Sequence, residues 1–130
     1  MSITSSAERA AQVLSRPFTV GGLTVPNRIA MAPMTRMFSP GGVPNADVVA
    51  YYTRRAAAGV GLIITEGTYV DHPSAGLSDS VPRFYGEDAL AGWAEVVQQV
   101  HLAGGRIAPQ IWHVGVSRGR ARRRTRRRPC

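Results

Sequence analysis

Three short apolar runs constrain the fold of this chain more than any other feature: "RIAMAP", "GLIITEG" and "RIAPQIW". Their centres, near Ala30, Ile63 and Ala108, are 33 and 45 residues apart. Antiparallel strands can be joined by a two-residue turn, whereas parallel strands need a crossover of about a dozen residues or more, usually a helix. Each interval here holds a helical pattern. Asn45 is placed to cap a helix from about Ala46 to Ala58, with Asp47 in its first turn and Gly59 past its end. Val48, Tyr52 and Ala56 then share one face. In the second interval Leu90, Trp93, Ala94, Val97 and Val100 repeat at helical spacing, with Asp88 as N-cap and Gly104-Gly105 as the stop. The order β-α-β-α-β predicts an α/β fold with parallel strands and right-handed crossovers.

The remaining elements follow from local chemistry. Phe18-Thr19-Val20 and Leu23-Thr24-Val25 flank Gly21-Gly22, which is the pattern of a two-residue hairpin. Ile29 to Ala32 is a buried strand stopped by Pro33, and Leu62 to Thr65 is a second strand, ended by Glu66-Gly67. The third strand, around Ile107 to Trp112, contains Pro109, which lacks the N–H of a ladder bond and so belongs on an edge or a bulge. Residues 1–16 are small and polar and read as a flexible arm or one frayed helix.

Charge divides the chain at residue 117. The formal net charge is +8, and all 16 basic residues are arginine. Eight of them lie before residue 117 and balance the eight acids, which all lie there too. The whole excess sits in "SRGRARRRTRRRPC", Ser117 to Cys130. Such a tail binds polyanions without sequence preference, and one reading of the chain is a nonspecific nucleic-acid binder. The body has no basic face pattern and no nucleic-acid motif to support it. The single cysteine, Cys130, excludes an intrachain disulfide. No apolar run reaches the ~18 residues of a membrane span, and no apolar signal segment is present, so the cytoplasm is the expected compartment.

Polar residues gather at the predicted strand ends: Thr35 and Arg36, Thr65 and Glu66, Gln110 and His113. Ligands of parallel α/β folds bind at the C-terminal ends of strands, but strand ends are also polar because they meet water. The pattern alone fits both. No G-x-G-x-x-G follows a strand and no P-loop occurs, which argues against a Rossmann or P-loop nucleotide site. His72, His101 and His113 are scattered in sequence without a zinc-ligand spacing, so no metal site is expected. His101 reads as a surface or boundary residue of the second helix.

"LTVPNRIAMAPMTR", "YYTRRAAAGVGLIITEGTYV" and "PQIWHVG" resemble, in order and spacing, the N-terminal part of the Old Yellow Enzyme family of FMN-dependent NAD(P)H oxidoreductases. The resemblance covers about Pro17 to Gly115. It implies the N-terminal fragment of a (β/α)8 TIM barrel, about three of its eight strands, preceded by a β-hairpin. It also implies that Ala32, Pro33, Met34 and Thr35 lie against the flavin ring, and that Thr35 hydrogen-bonds near flavin O4 and N5. Gly67 would let the main chain approach the ring, Gln110 would bind its pyrimidine edge, and Trp112 would line the substrate pocket. Each has a plainer counterpart: Thr35 as a turn hydroxyl, Gly67 as a turn former, Trp112 as core. Arg28, Tyr51, Tyr52 and Arg55 read as packing and ion-pair residues. The implied reaction takes hydride from NAD(P)H to FMN and then, through flavin N5, to an activated alkene as small-molecule substrate.

A barrel of this class needs about 250 residues. The family's substrate-activating pair, its proton donor and its late-strand phosphate site fall beyond residue 130, so none of its catalytic residues is expected in this chain. The expected organisation is an arm over 1–16, the barrel part over 17–116 and a non-family, disordered tail over 117–130. Arginine-rich text without lysine is what GC-rich DNA gives out of frame, and a frameshift near codons 115–119 is the expected origin of the tail. Three strands with open edges and half-covered faces predict a chain that is unstable or aggregation-prone alone and lacks ene-reductase activity.

Overall fold

The computed structural model describes residues 5–115. Helix α1, Ser6–Leu14, occupies the N-terminal arm. Ser5 caps it through a reciprocal pair of bonds: the Glu8 N–H donates to Ser5 Oγ at 3.2 Å, and the Ser5 N–H donates to Glu8 Oε2 at 2.6 Å. None of its residues is buried. Strands β1, Phe18–Val20, and β2, Leu23–Val25, form the hairpin, with Val20 opposite Leu23 and the Thr19 and Thr24 hydroxyls 3.0 Å apart. Gly21 carries the turn at φ 55, a conformation that favours glycine.

The remaining strands, β3 (Ala30–Met31), β4 (Leu62–Tyr69) and β5 (Arg106–Trp112), form a parallel sheet in the order β3-β4-β5. Helices α2, Ala46–Ala57, and α3, Glu87–Leu102, make the two crossovers. Strands that are neighbours both in sequence and in space, all parallel, give the winding of a barrel wall, which one half of a doubly wound sheet shares. The described residues do not close a barrel. Register puts Met31 beside Ile63 and Ile63 beside Ile107, so these three face the helices together. They meet Val48, Tyr52 and Ala56 of α2 and Trp93, Val96 and Val100 of α3, which form the main core.

Asn45 caps α2 as its position implies, accepting from the N–H groups of Asp47 and Val48 at 3.1 Å. Three other expectations need correction. The cap of α3 is Gly86, at φ 80, not Asp88. Asp88 lies in the first turn, where its carboxylate accepts the Ala89 N–H and pairs with Arg83 at 2.7 Å. The buried face of α3 is Ala89, Trp93, Val96 and Val100; Leu90, Ala94 and Val97 face outward. This helix carries two apolar stripes, and the inner one holds the tryptophan. Finally, β4 does not end at Glu66-Gly67. It runs on to Tyr69 through a register shift: Ile64 pairs with Ala108, and pairing resumes at Gly67 with Gln110. Pro109 lies opposite that irregularity, where the ladder asks no N–H of it, and on an edge strand.

Candidate functional site

The C-terminal ends of the three strands are held together by side chains that sequence spacing does not reveal. Thr65 and Thr68, both buried on β4, fix the main chain of Gln110. The Gln110 N–H donates to Thr65 Oγ1 at 3.0 Å, and the Thr68 hydroxyl donates to the Gln110 carbonyl at 3.0 Å. Thr65 thereby replaces the ladder bond that the irregularity beside Pro109 removes. Gln110 is exposed, and among the described residues its amide has no hydrogen-bond partner.

The segment after β3 is drawn to the same place by Glu66. Its carboxylate accepts the main-chain N–H of Arg36 at 3.0 Å and the Arg36 guanidinium at 2.5 Å. Arg36 also stacks on the Tyr51 ring, 3.6 Å from its centroid, and Arg55 stacks on the same ring at 3.4 Å. Tyr52, fully buried in α2, accepts the Glu66 N–H at 2.8 Å. Burial pushes its phenol from the ordinary 10.0 up to about 12, and the nearby Glu66 charge adds to this. Ala32, Pro33, Met34 and Thr35 are exposed along the sheet end. The Thr35 hydroxyl, like the Gln110 amide, has no protein partner among the described residues.

Gly67 is the register partner of Gln110. It is not a turn former: it lies within β4 and is not among the residues with positive φ. A Cβ built there would fall 2.2 Å from Trp112 Cε3, so the indole occupies the space a side chain would need. Trp112 is half-buried and also packs against Tyr69, with ring centroids 5.5 Å apart. The sheet therefore brings Gly67, Gln110 and Trp112 together, and Glu66 brings the 32–36 segment alongside.

Two of the histidines scattered in sequence meet in the fold. The His72 and His113 rings are 5.6 Å apart, and Ser74 Oγ lies 2.7 Å from His72 Nδ1 and 3.4 Å from His113 Nε2. His101 is exposed on α3. Among the described residues no group of three or more His, Cys, Asp or Glu could hold a metal ion, and no helix is long and apolar enough to cross a membrane. A separate cleft of about 310 Å³, lined by Tyr69, His72, Asp79, Arg83 and Tyr85 among others, includes none of the seven residues singled out from the sequence. Gly115 to Gly119 has the form G-x-S-x-G, but residues 116–119 lie outside the described ones, as do the tail and the frameshift and disorder expected of it.

A parallel sheet with two covering crossovers and polar, unengaged groups at its C-terminal end defines a chain of the α/β class. Comparison with known proteins narrows this. The model of the NADH:flavin oxidoreductase / NADH oxidase family matches residues 13–128, and the chain belongs to that family. The match extends past both limits of the motif-based resemblance, Pro17 and Gly115. 12-Oxophytodienoate reductase 1 of Oryza sativa subsp. japonica is 37% identical over 109 residues, covering 84% of this chain and 28% of that protein. Among solved structures, morphinone reductase in complex with tetrahydroNAD superposes with a TM-score of 0.73 at 44% identity, over 78% of this chain and 27% of that one. Old Yellow Enzyme from Pichia sp. AKU4542 gives 0.72 at 32% identity, over 78% and 26%. The chain thus spans about a quarter of the length of these relatives. Its hairpin and three strands are the N-terminal part of a (β/α)8 barrel.

Proposed function

We propose that the strand-end surface of this chain receives the ring of FMN and belongs to an NAD(P)H-dependent oxidoreductase acting on activated alkenes. The observation that carries the reading is the pair of unengaged polar groups, the Thr35 hydroxyl and the Gln110 amide, beside main chain held from β4 at the Arg36 N–H and at both groups of Gln110. An amide offers both a donor and an acceptor, which suits the pyrimidine edge of a flavin. A hydroxyl supplies a donor to the ring's polar edge, where it favours negative charge. The exposed main chain of Ala32, Pro33 and Met34 gives a surface for the ring, and Gly67 and Trp112 close the sheet side. When bound, FMN supplies a hydride acceptor and donor. The chain's own residues orient the ring and set its polarity. Trp112, half-buried beside Gly67, would line the substrate pocket.

In this reading none of the described residues polarises an alkene substrate or donates its proton. The chain alone is therefore expected not to turn over NADPH; steady NADPH consumption with an activated alkene would overturn this. A cytoplasmic setting accompanies the reading. The test is titration of FMN fluorescence with the chain. Thr35→Ala and Gln110→Ala should each weaken binding about three- to tenfold, the value of one hydrogen bond. Absence of saturable binding to the unmodified chain would refute the reading.

A further inference from the structure

A carboxylate in a strand interior is costly unless its oxygens are occupied. Glu66 is 1% exposed, and both oxygens are occupied by one residue, Arg36, in two different ways. Oε1 holds the guanidinium, while Oε2 holds the main-chain N–H. The second bond is the informative one. The N–H of Arg36 belongs to the same rigid peptide plane as the Thr35 carbonyl. Fixing that N–H from β4 fixes the plane, and with it the direction in which Thr35 leaves the chain. The guanidinium bond and the stack on Tyr51 stop Arg36 from swinging about that point. The Tyr52 hydroxyl, 3.5 Å from Oε1, and its bond from the Glu66 N–H anchor the arrangement to α2. One residue further on, Met37 adopts φ 61, a left-handed conformation rare for a side-chain-bearing residue. The chain therefore turns sharply just past the tethered peptide.

We propose that Glu66 is a positioning residue: its carboxylate sets the Thr35–Arg36 peptide plane and so holds the 32–36 segment in the orientation that receives the flavin ring. The ring's part in this rests on the flavin reading above; the tether itself does not. An ion pair serving stability alone would tolerate any substitution that keeps the charge balanced and the space filled. A tether to the main chain requires an acceptor aimed at the amide of residue 36.

Glu66→Gln, compared with the charge-balanced double variant E66Q/R36M, separates these. Both groups of Arg36 that face the side chain are donors, and an amide offers one acceptor and one donor, so one contact must be lost. The readout is hydrogen exchange of individual amides in the cofactor-free chain, with FMN affinity measured in parallel. In E66Q the amide of residue 36 should exchange about ten- to a hundredfold faster, with amides of Val96 and Val100 unchanged, and FMN should bind about tenfold more weakly. Glu95→Gln, on the exposed side of α3, should alter neither. The double variant E66Q/R36M leaves only the main-chain N–H to satisfy, for which one amide oxygen suffices. It should restore protection of amide 36 and most of the FMN affinity, and it decides the matter if E66Q alone loses its fold. An unprotected amide 36 in the unmodified chain, or unchanged exchange in E66Q, or no restoration in the double variant, would overturn the proposal. Loss of protection in E66Q, with no FMN bound by any variant, would leave the tether standing and remove the flavin reading.

Discussion

The two faces of β4 are finished to different degrees. Toward the helices, Ile63 is fully buried among Tyr52, Trp93, Val96 and Val100. Away from them, Leu62 and Ile64 are half-exposed, and Leu62 borders an apolar hollow of about 280 Å³ that Phe18, Val25 and Ile29 also line. α3 repeats the contrast, with Trp93 buried and Leu90 44% exposed three residues away. The closed side is complete within these residues, whereas the open side has the shape of a barrel wall whose interior neighbours are other strands. The groups proposed to receive the flavin ring, Thr35 and Gln110, sit where the two meet, at the strand ends, next to main chain anchored from β4.

The largest test of this contrast is Trp93→Ala, which removes an indole whose Nε1 also donates to the Arg83 carbonyl at 2.9 Å. Loss of about 3–5 kcal/mol in denaturant unfolding is expected; a loss under 1 kcal/mol would mean that the closed side is not a packed core. Next comes alkaline pH. The Tyr52 phenol ionises at about 12 in the folded chain and near 10.0 when unfolded. Between those values the folded state keeps a proton that the unfolded state has lost, so stability falls as pH rises through the window and is unaffected below it. Roughly 3 kcal/mol should disappear from pH 10 to 12, and Tyr52→Phe should remove that slope. Asn45→Ala should cost about 1 kcal/mol through the lost α2 cap, read from the same unfolding curves. On the outward stripe of α3, Leu90→Ser with Val97→Ser should change stability by no more than about 0.5 kcal/mol while reducing light scattering at high concentration. A destabilisation of the size seen for Trp93→Ala would show that this stripe is already packed.

Much of the closed side was legible before any coordinates. Asn45, the Val48-Tyr52-Ala56 face and the parallel order follow from local rules, because caps and periodicity act within a few residues. Three things were harder. The face of α3 is ambiguous in the sequence because Trp93 and Val100 fit either of two apolar patterns, and periodicity alone does not say which one meets the sheet. β4 was cut short because Gly67 looked like a breaker; its reason for being glycine is Trp112, a residue 45 positions later. The Glu66 tether joins residues 30 apart, and its main-chain half involves no side-chain pattern at all. The same holds for His72 and His113, which meet only because the β4 loop folds back over the end of β5. The residues proposed for the flavin rest on a family resemblance; what the fold adds is that the register of β4 against β5 sets Gly67 opposite Gln110.

The most direct measurement is amide NMR of the chain during titration with FMN. Shifts should be confined to 32–36, to the Glu66-Gly67 turn of register and to 110–112, and should saturate together. Shifts centred instead on the Arg83 cleft, or on the arginines of 117–130 that could bind the cofactor's phosphate, would contradict a flavin-ring site at the strand ends.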